Sequence, residues 1–146
     1  MTGSNRYSAV ILTVLFSLLM VTCATPVETS GKIEPVHLEP IAGTELNRLT
    51  LTERAAERLG IQTAPVREEI VNGERRKIIP YAAVVYDVNG GAWVYTSSEP
   101  LTFVREAIVV ERIEGDVAVL LEGPEPGTEV AIVGVAELYG ADTGVG

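Results

Sequence analysis

The sequence predicts a mainly β protein, a small β-barrel or β-roll that carries one short α-helix. Short runs of β-prone residues recur along residues 33–135 and are separated by turn signals that contain glycine, which is typical of antiparallel strands. Only residues 51–59 have the spacing of an amphipathic helix. We therefore divide the chain into four parts: a leader (1–22), a tether and edge segment (23–43), a β-domain (44–140) and a disordered tail (141–146).

The leader has the layout of a secretory signal. Arg6 is its only charged side chain, and the apolar run over residues 9–22 is shorter than the ~20 residues that a membrane-spanning helix needs. The small-residue site at 21–24 is similar to a bacterial lipobox, in which Cys23 would be lipidated. Ordinary cleavage near Ala24 and an uncleaved anchor are the alternatives. Every interpretation predicts an extracytoplasmic protein, and lipidation or an anchor would tether it to the cell membrane.

The composition excludes several classes of protein. The chain has 20 acidic and 11 basic side chains, and loss of the leader with Arg6 would leave a net charge of about −10. This net negative charge argues against nucleic acid and anionic lipid as partners, because both require a basic face. Cys23 is the only cysteine, which excludes an intramolecular disulfide and a cysteine metal cluster.

The segment before the β-domain begins as a tether. Residues 24–31 contain Thr, Pro, Glu, Ser and Gly without a period, which is typical of a flexible linker. The apolar alternation from Ile33 to Leu38 predicts a short strand, which its prolines restrict to a sheet edge. We interpret His37, between two glutamates, as an exposed residue on this edge; a metal ligand is the weaker alternative.

A strand–helix–strand unit is predicted next. Residues 48–51 form the first strand, and Thr52 can cap a helix because its hydroxyl accepts from a free amide of the first turn. Apolar residues recur at four-residue spacing up to Leu59. Gly60 then occupies the position at which glycine ends a helix, and residues 61–66 resume as a strand.

Asn72 and Gly73 predict a tight β-hairpin turn, because both residues tolerate the positive φ angles of a type I′ turn. The arms on either side of them are charged and partly alternating. We therefore expect the hairpin to project into water or to lie on the surface of a sheet.

The strongest strand signals follow the hairpin. Residues 82–86 are a nearly continuous β-prone run, which predicts a strand covered on both faces. A turn at Gly90 leads into a strand over residues 92–96. Residues 101–113 predict a long strand with a bulge near residues 106–107, where the alternation slips.

Two more strands complete the predicted β-domain. Val117, Val119 and Leu121 would form one face of the first of them. Residues 130–135 would form the last strand, after a loop that contains Gly127.

Two stretches resemble the periplasmic adaptors of efflux pumps, which are also called membrane fusion proteins. LTLTERAAERLGIQTAPV is similar to their early strand, short helix and Gly-Ile-x-Thr-x-x-Val strand. Residues 79–138 are similar to their membrane-proximal β-domain. Within it, residues 123–130 take the place of the family's Gly-Leu-x-Pro-Gly-x-x-Val turn and closing strand, although Pro124 replaces the leucine. The resemblance covers roughly residues 48–138.

The chain also departs from this family. A full adaptor inserts a lipoyl-like domain and a long α-helical hairpin between the two stretches, whereas here about a dozen residues around Asn72 and Gly73 connect them. The resemblance therefore implies a truncated adaptor that retains only the β-domain of the membrane-proximal type. Such a protein would be non-enzymatic and would dock on a transporter permease or ATPase subunit of an efflux system, or on copies of itself.

The side chains themselves offer little for chemistry. No nucleophile-elbow, P-loop or dinucleotide-binding motif is found, and both methionines lie in the leader. We therefore expect no enzyme activity, no cofactor and no metal site; a hydrolase with an unrecognised site is the least favoured alternative.

The aromatic residues near the centre of the β-domain are the candidate interaction surface. They would serve either as a contact surface or as part of the β core: Tyr81, Tyr86, Trp93 and Tyr95. A stand-alone ligand-binding lipoprotein that reuses the adaptor β-domain is the alternative to the docking function.

Overall fold

The structure, a computed structural model, describes residues 34–145. Of these residues 54% lie in strands and 17% in helices, so the predicted mainly β class is confirmed. The predicted leader, Cys23 and the tether lie outside the described residues. In the part of the chain that is described, no helix has the length and apolarity needed to cross a membrane.

Ten strands, two α-helices and one 3₁₀ turn make up this body. In chain order they are β1 (Val36–Pro40), β2 (Asn47–Leu51), α1 (Glu53–Leu59), β3 (Gln62–Pro65), β4 (Arg67–Val71), β5 (Glu74–Pro80), the 3₁₀ turn (Tyr81–Ala83), β6 (Val85–Tyr86), β7 (Ala92–Glu99), β8 (Thr102–Glu114), β9 (Val117–Glu122), β10 (Glu129–Val133) and α2 (Val135–Thr143).

The strands form one curled, half-barrel sheet in the order β3-β10-β7-β8-β9-β5-β4. β1 attaches through β2 to β8, and β6 attaches to β7. Strands from before and after the Asn72-Gly73 turn are thus neighbours: Leu49 of β2 pairs with Phe103 of β8, and Ala64 of β3 pairs with Val130 of β10. The strands before this turn therefore make backbone hydrogen bonds with the strands after it.

Helix α1 begins and ends as predicted. Its N-cap is Thr52, whose Oγ1 accepts a hydrogen bond from Ala55 N at 3.2 Å. Gly60 ends it with φ 63° and ψ 35°, a left-handed conformation that glycine adopts without a Cβ clash. The helix buries Ala55 and Ala56 against the sheet.

The core has two parts on opposite faces of β7. The first part lies beneath the helices and consists of Leu49, Leu51, Ala55, Ala56, Tyr95, Phe103, Ala131, Val135 and Leu138. The second part lies against the other face and consists of Val66, Ile79, Ala83, Val94, Ile108, Ala118, Leu120 and Val130. Neighbouring residues Val94 and Tyr95 of β7 are both fully buried, so this strand is covered on both faces.

The tight turn predicted at Asn72 and Gly73 is present. Val71 of β4 pairs directly with Glu74 of β5, and the two turn residues have φ angles of 54° and 85°. The arms carry exposed charges, among them an ion pair of 3.2 Å between Arg75 and Glu68.

The strand predicted over residues 82–86 is largely wrong. Pairing of β5 with β9 ends at Pro80, whose ring removes the donor that a ladder needs. The chain then makes the 3₁₀ turn, closed by a hydrogen bond from Val84 N to Tyr81 O. Only residues 85–86 pair with β7, and Tyr86 is 47% exposed, so this run is not covered on both faces.

The predicted bulge in β8 is displaced. Pairing with β7 is regular at residues 106–107, and the irregularities occur against β9, between Val109 and Arg112. They also explain why Leu121 is 53% exposed, contrary to the predicted face. The register moves from Leu120 directly to Glu122, so Leu121 has no partner on β8 and the alternation of β9 ends there.

The prediction of a disordered tail over 141–146 is wrong for residues 141–143, which belong to a second helix, α2, that the sequence did not predict. The last predicted strand ends at Val133, and α2 runs to Thr143. Gly134, with φ 82°, makes the turn between them. The helix is stabilised by tertiary contacts: Leu138 is buried in the first core, and Asp142 is buried at its end.

Candidate functional site

The four predicted aromatic residues do not form one surface. Tyr81 and Tyr86 are 42% and 47% exposed, whereas Tyr95 is fully buried. Trp93 is half-buried on β7. The expectation of a common contact surface is therefore wrong for Tyr95, which belongs to the core, and the exposed part reduces to the two tyrosines.

These two residues, with Val88 in the turn that follows β6, are called the tyrosine surface below. Val88 is 94% exposed. Burial raises the pKa of the Tyr86 phenol, and the adjacent Tyr81 adds to the rise through its charge and a hydrogen bond. Both tyrosines lie at the surface of the protein.

The turn beside the tyrosine surface is organised by Asp87. Its Oδ1 accepts hydrogen bonds from the backbone N–H groups of Asn89 and Gly91, both at 2.8 Å, and its Oδ2 accepts from Trp93 Nε1 at 2.9 Å. The predicted turn residue Gly90 has a φ of 85°. A Cβ at Gly91 would lie 2.8 Å from Asp87 Oδ2, so only glycine fits this turn without displacing the carboxylate.

We expect this carboxylate to make stability depend on pH. The hydrogen bonds from Trp93, Gly91 and Asn89 lower the pKa of Asp87 below its ordinary value. A lowered pKa in the folded state means that the stabilisation is present above the unfolded-state pKa of ~3.9 and is lost as the pH falls through the folded-state value. Urea unfolding of an Asp87→Asn variant at a series of pH values should show lower stability at pH 7 and a smaller loss below pH ~4 than the parent. An equal acid-induced loss in both proteins would contradict this role.

Trp93 belongs to a second arrangement, the Arg105 cluster, which joins α2 to the sheet. The guanidinium carbon of Arg105 lies 4.5 Å from the centre of the Trp93 ring and 5.9 Å from that of Tyr139. Asp142 accepts hydrogen bonds from Tyr95 Oη and from Asn47 Nδ2, both at 3.0 Å.

The charges of this cluster are largely shielded from water. Arg105 Nε lies 3.2 Å from Asp142 Oδ2, and the side chains are 14% and 1% exposed. Within the described residues this N–H makes no aligned hydrogen bond, so the attraction is that of an ion pair. Burial, followed by the charge of Asp142, raises the pKa of Tyr95. The cluster therefore attaches the C-terminal end of α2 to the sheet.

A third arrangement holds the loop before β10. Lys77 Nζ donates to Gly123 O at 2.6 Å and to Glu125 Oε1 at 2.8 Å. Burial raises the pKa of nearby Glu106, an effect that Lys77 partly offsets. The predicted turn residue Gly127 has a φ of 92° and donates its N–H to Val66 O at 2.8 Å. Lys77 therefore stabilises the loop between β9 and β10 through its two hydrogen bonds.

A metal ligand is the weaker of the two interpretations of His37. His37 is exposed, as predicted, and lies 3.4 Å from Glu39. Among residues 34–145, no three His, Cys, Asp or Glu side chains are grouped so that they could hold a metal ion.

Sequence reasoning missed the Arg105 cluster because its members come from four separate elements. Asn47 lies on β2, Trp93 on β7, Arg105 on β8, and Tyr139 and Asp142 on α2. A single Asp before a glycine-rich end carries no local signal of burial. No protein family, curated protein or solved structure matches this chain.

Proposed function

We propose that the protein is a membrane-tethered, non-enzymatic, extracytoplasmic adaptor-like subunit that docks on the transporter of an efflux-type system. One observation carries this proposal: the two adaptor-like stretches pack into a single sheet. β2 from the first stretch pairs with β8 from the second, and β3 pairs with β10. A domain assembled from both stretches keeps its core when the insertion between them is short, which is what a truncated adaptor requires.

The position of the hairpin supports the same proposal. β4 forms one end of the sheet order, and the Asn72-Gly73 turn is at the tip of its connection to β5. In the resembling family the lipoyl-like domain and the helical hairpin are inserted at this point of the chain. The short hairpin leaves the rest of the sheet intact.

The tyrosine surface is the proposed anchor. Large exposed aromatic side chains contribute strongly to protein interfaces, where a few residues dominate the binding energy. Tyr81 and Tyr86 are exposed, and neither belongs to either part of the core. Since the chain is acidic, we expect a neutral or basic facing surface and association that weakens with added salt. Lipidation of Cys23, which would tether the protein, stays a prediction.

Photocrosslinking in the native membrane tests this docking. A benzophenone amino acid at Val88, beside the tyrosine surface, should capture a permease or ATPase subunit, whereas the same group at Ile70 of β4, 67% exposed, should not. Tyr86→Ala in the Val88-labelled protein should lower affinity about tenfold, as expected for loss of an interface aromatic residue worth ~1.4 kcal/mol. Stability should change less than for a core aromatic residue, because Tyr86 is 47% exposed and lies outside both parts of the core.

Capture of a transporter subunit from Ile70 as efficiently as from Val88 would count against the tyrosine surface as the anchor and would put the contact elsewhere. Absence of any transporter subunit, together with a small molecule retained through purification, would count against docking on a transporter and would favour the ligand-binding lipoprotein instead.

A further inference from the structure

A groove of about 730 Å³ lies between α1, the start of β3 and the turn from β7 to β8. Its apolar lining consists of Ala56 of α1, Ile61 between α1 and β3, Pro100 and Leu101 of the turn, and Phe103 of β8. Phe103 and Ala56 are buried members of the first core, so the floor of the groove is the side of a packed core.

One wall of this groove, called the α1 groove, is acidic. Glu53 and Glu57 are the only charged residues among its lining side chains, and their four-residue spacing puts them on one side of the helix. The basic residues of α1, Arg54 and Arg58, line a neighbouring crevice that Glu53 also borders. Within residues 34–145, no Lys, Arg or His nitrogen lies within 4.0 Å of either groove carboxylate.

The opposite wall is held in place by the backbone. Leu101 has a φ of 59°, which is uncommon for a residue with a Cβ. Its carbonyl accepts a hydrogen bond from Leu51 N at 2.9 Å, and its side chain packs against the first core. The turn is thereby fixed to β2, and the groove is formed without its occupant.

The two-sided shape of the groove favours a polypeptide over a small molecule. Pockets for small ligands enclose most of the ligand surface, whereas this groove is bounded by a helix on one side and a turn on the other. Successive side chains of an extended segment point to opposite sides, so the neighbour of a side chain on the floor lies at the exposed side of the groove, where Glu53 and Glu57 are also exposed.

We propose that the α1 groove binds a basic segment of a partner protein in which a Lys or Arg lies next to an aliphatic residue. The apolar floor accepts the aliphatic side chain, and Glu53 and Glu57 pair with the basic one. This inference goes beyond docking on a transporter and does not depend on the tyrosine surface.

The test uses a fluorescent ten-residue peptide of alternating leucine and lysine as the probe. Its anisotropy is measured with the full chain in phosphatidylcholine nanodiscs, which add no net lipid charge. A Glu53→Gln/Glu57→Gln variant should bind the peptide about fivefold more weakly, given the modest contribution of each exposed ion pair. The matched control, Glu45→Gln/Glu137→Gln, removes the same charge from exposed positions outside the groove and should bind like the parent.

A second variant tests the groove by steric blocking, without a change of charge. Thr63→Trp fills the groove from its β3 side and should also weaken binding, with thermal unfolding used to verify that it folds. Equal weakening by the control pair, or equal binding of a leucine–glutamate peptide, would overturn the proposal. Binding of tetraphenylphosphonium without the peptide would assign the groove to a small cation. A dimer dissociated by Thr63→Trp would assign it to a second copy of the chain.

Discussion

An Asp142→Ala variant should lose about 3–5 kcal/mol of its free energy of unfolding, because it leaves a shielded cation without its partner. The Asp142 side chain is 1% exposed and lies 3.2 Å from Arg105 Nε. The same change removes the acceptor for Tyr95 Oη and Asn47 Nδ2. The C-terminal end of α2 would then lose its attachment to the sheet.

Urea unfolding monitored by circular dichroism measures this loss. Glu137→Ala, on the exposed side of the same helix, is the matched control and should change stability by less than ~0.5 kcal/mol. Asp142→Asn retains the shape and part of the hydrogen bonding, so it should lie between the two. If Asp142→Ala is nearly as stable as the parent, the ion pair does not stabilise the packing of α2 on the sheet.

Trp93→Ala should also be strongly destabilising, by about 3 kcal/mol, as expected for truncation of a large packed aromatic side chain. The indole stacks on Arg105 and donates its Nε1–H to Asp87. Its removal therefore disturbs both the Arg105 cluster and the turn beside the tyrosine surface. Trp93 supports the proposed docking surface from within.

Comparison with Tyr86→Ala distinguishes a residue that stabilises the docking surface from one that contacts the partner. Both variants are assayed by urea unfolding and by crosslinking from Val88. Trp93→Ala should lower stability and crosslinking together, while Tyr86→Ala should lower crosslinking alone. Parental stability of Trp93→Ala combined with lost crosslinking would instead identify Trp93 as a contact residue.

The elements that the sequence predicted well are those specified by local chemistry. Thr52 and Gly60 set the ends of α1 through a hydroxyl acceptor and a left-handed backbone, and both signals can be read within ten residues. Asn72 and Gly73 specify their turn in the same way. The mainly β class was predicted from many short β-prone runs, so the wrong prediction of one strand did not change it.

The elements predicted wrongly depend on contacts between distant parts of the chain. The 3₁₀ turn at Tyr81–Ala83 arises where Pro80 ends the pairing of β5 with β9, a boundary that the β-prone run conceals. α2 has a glycine in its interior and no side-chain cap, so its local helical signal is weak. Its burial against the sheet overrides that weakness, as tertiary packing commonly does.

The four candidate aromatic residues differ in exposure, which the sequence did not predict. Tyr81 and Tyr86 are exposed as a contact surface requires, but Tyr95 points from the same strand as Trp93 into the core. A strand covered on both faces and a strand with one face in water can have similar sequences. Here the covering of Tyr95 by residues of β2, α1 and α2 distinguishes them, and α2 was not predicted.

The pairing of β3 with β10 has a consequence for how the protein is made. β10 is the last strand in the chain, and ribosomes add only ~5–20 residues per second. β3 therefore leaves the ribosome seconds before its partner exists, and such distant pairing also slows folding because a long loop must close first. During that interval its edge is open to strands of other chains. We expect the nascent chain to stay unfolded until residue 133 has emerged, a state that a chaperone can bind and that a narrow translocation channel can accept.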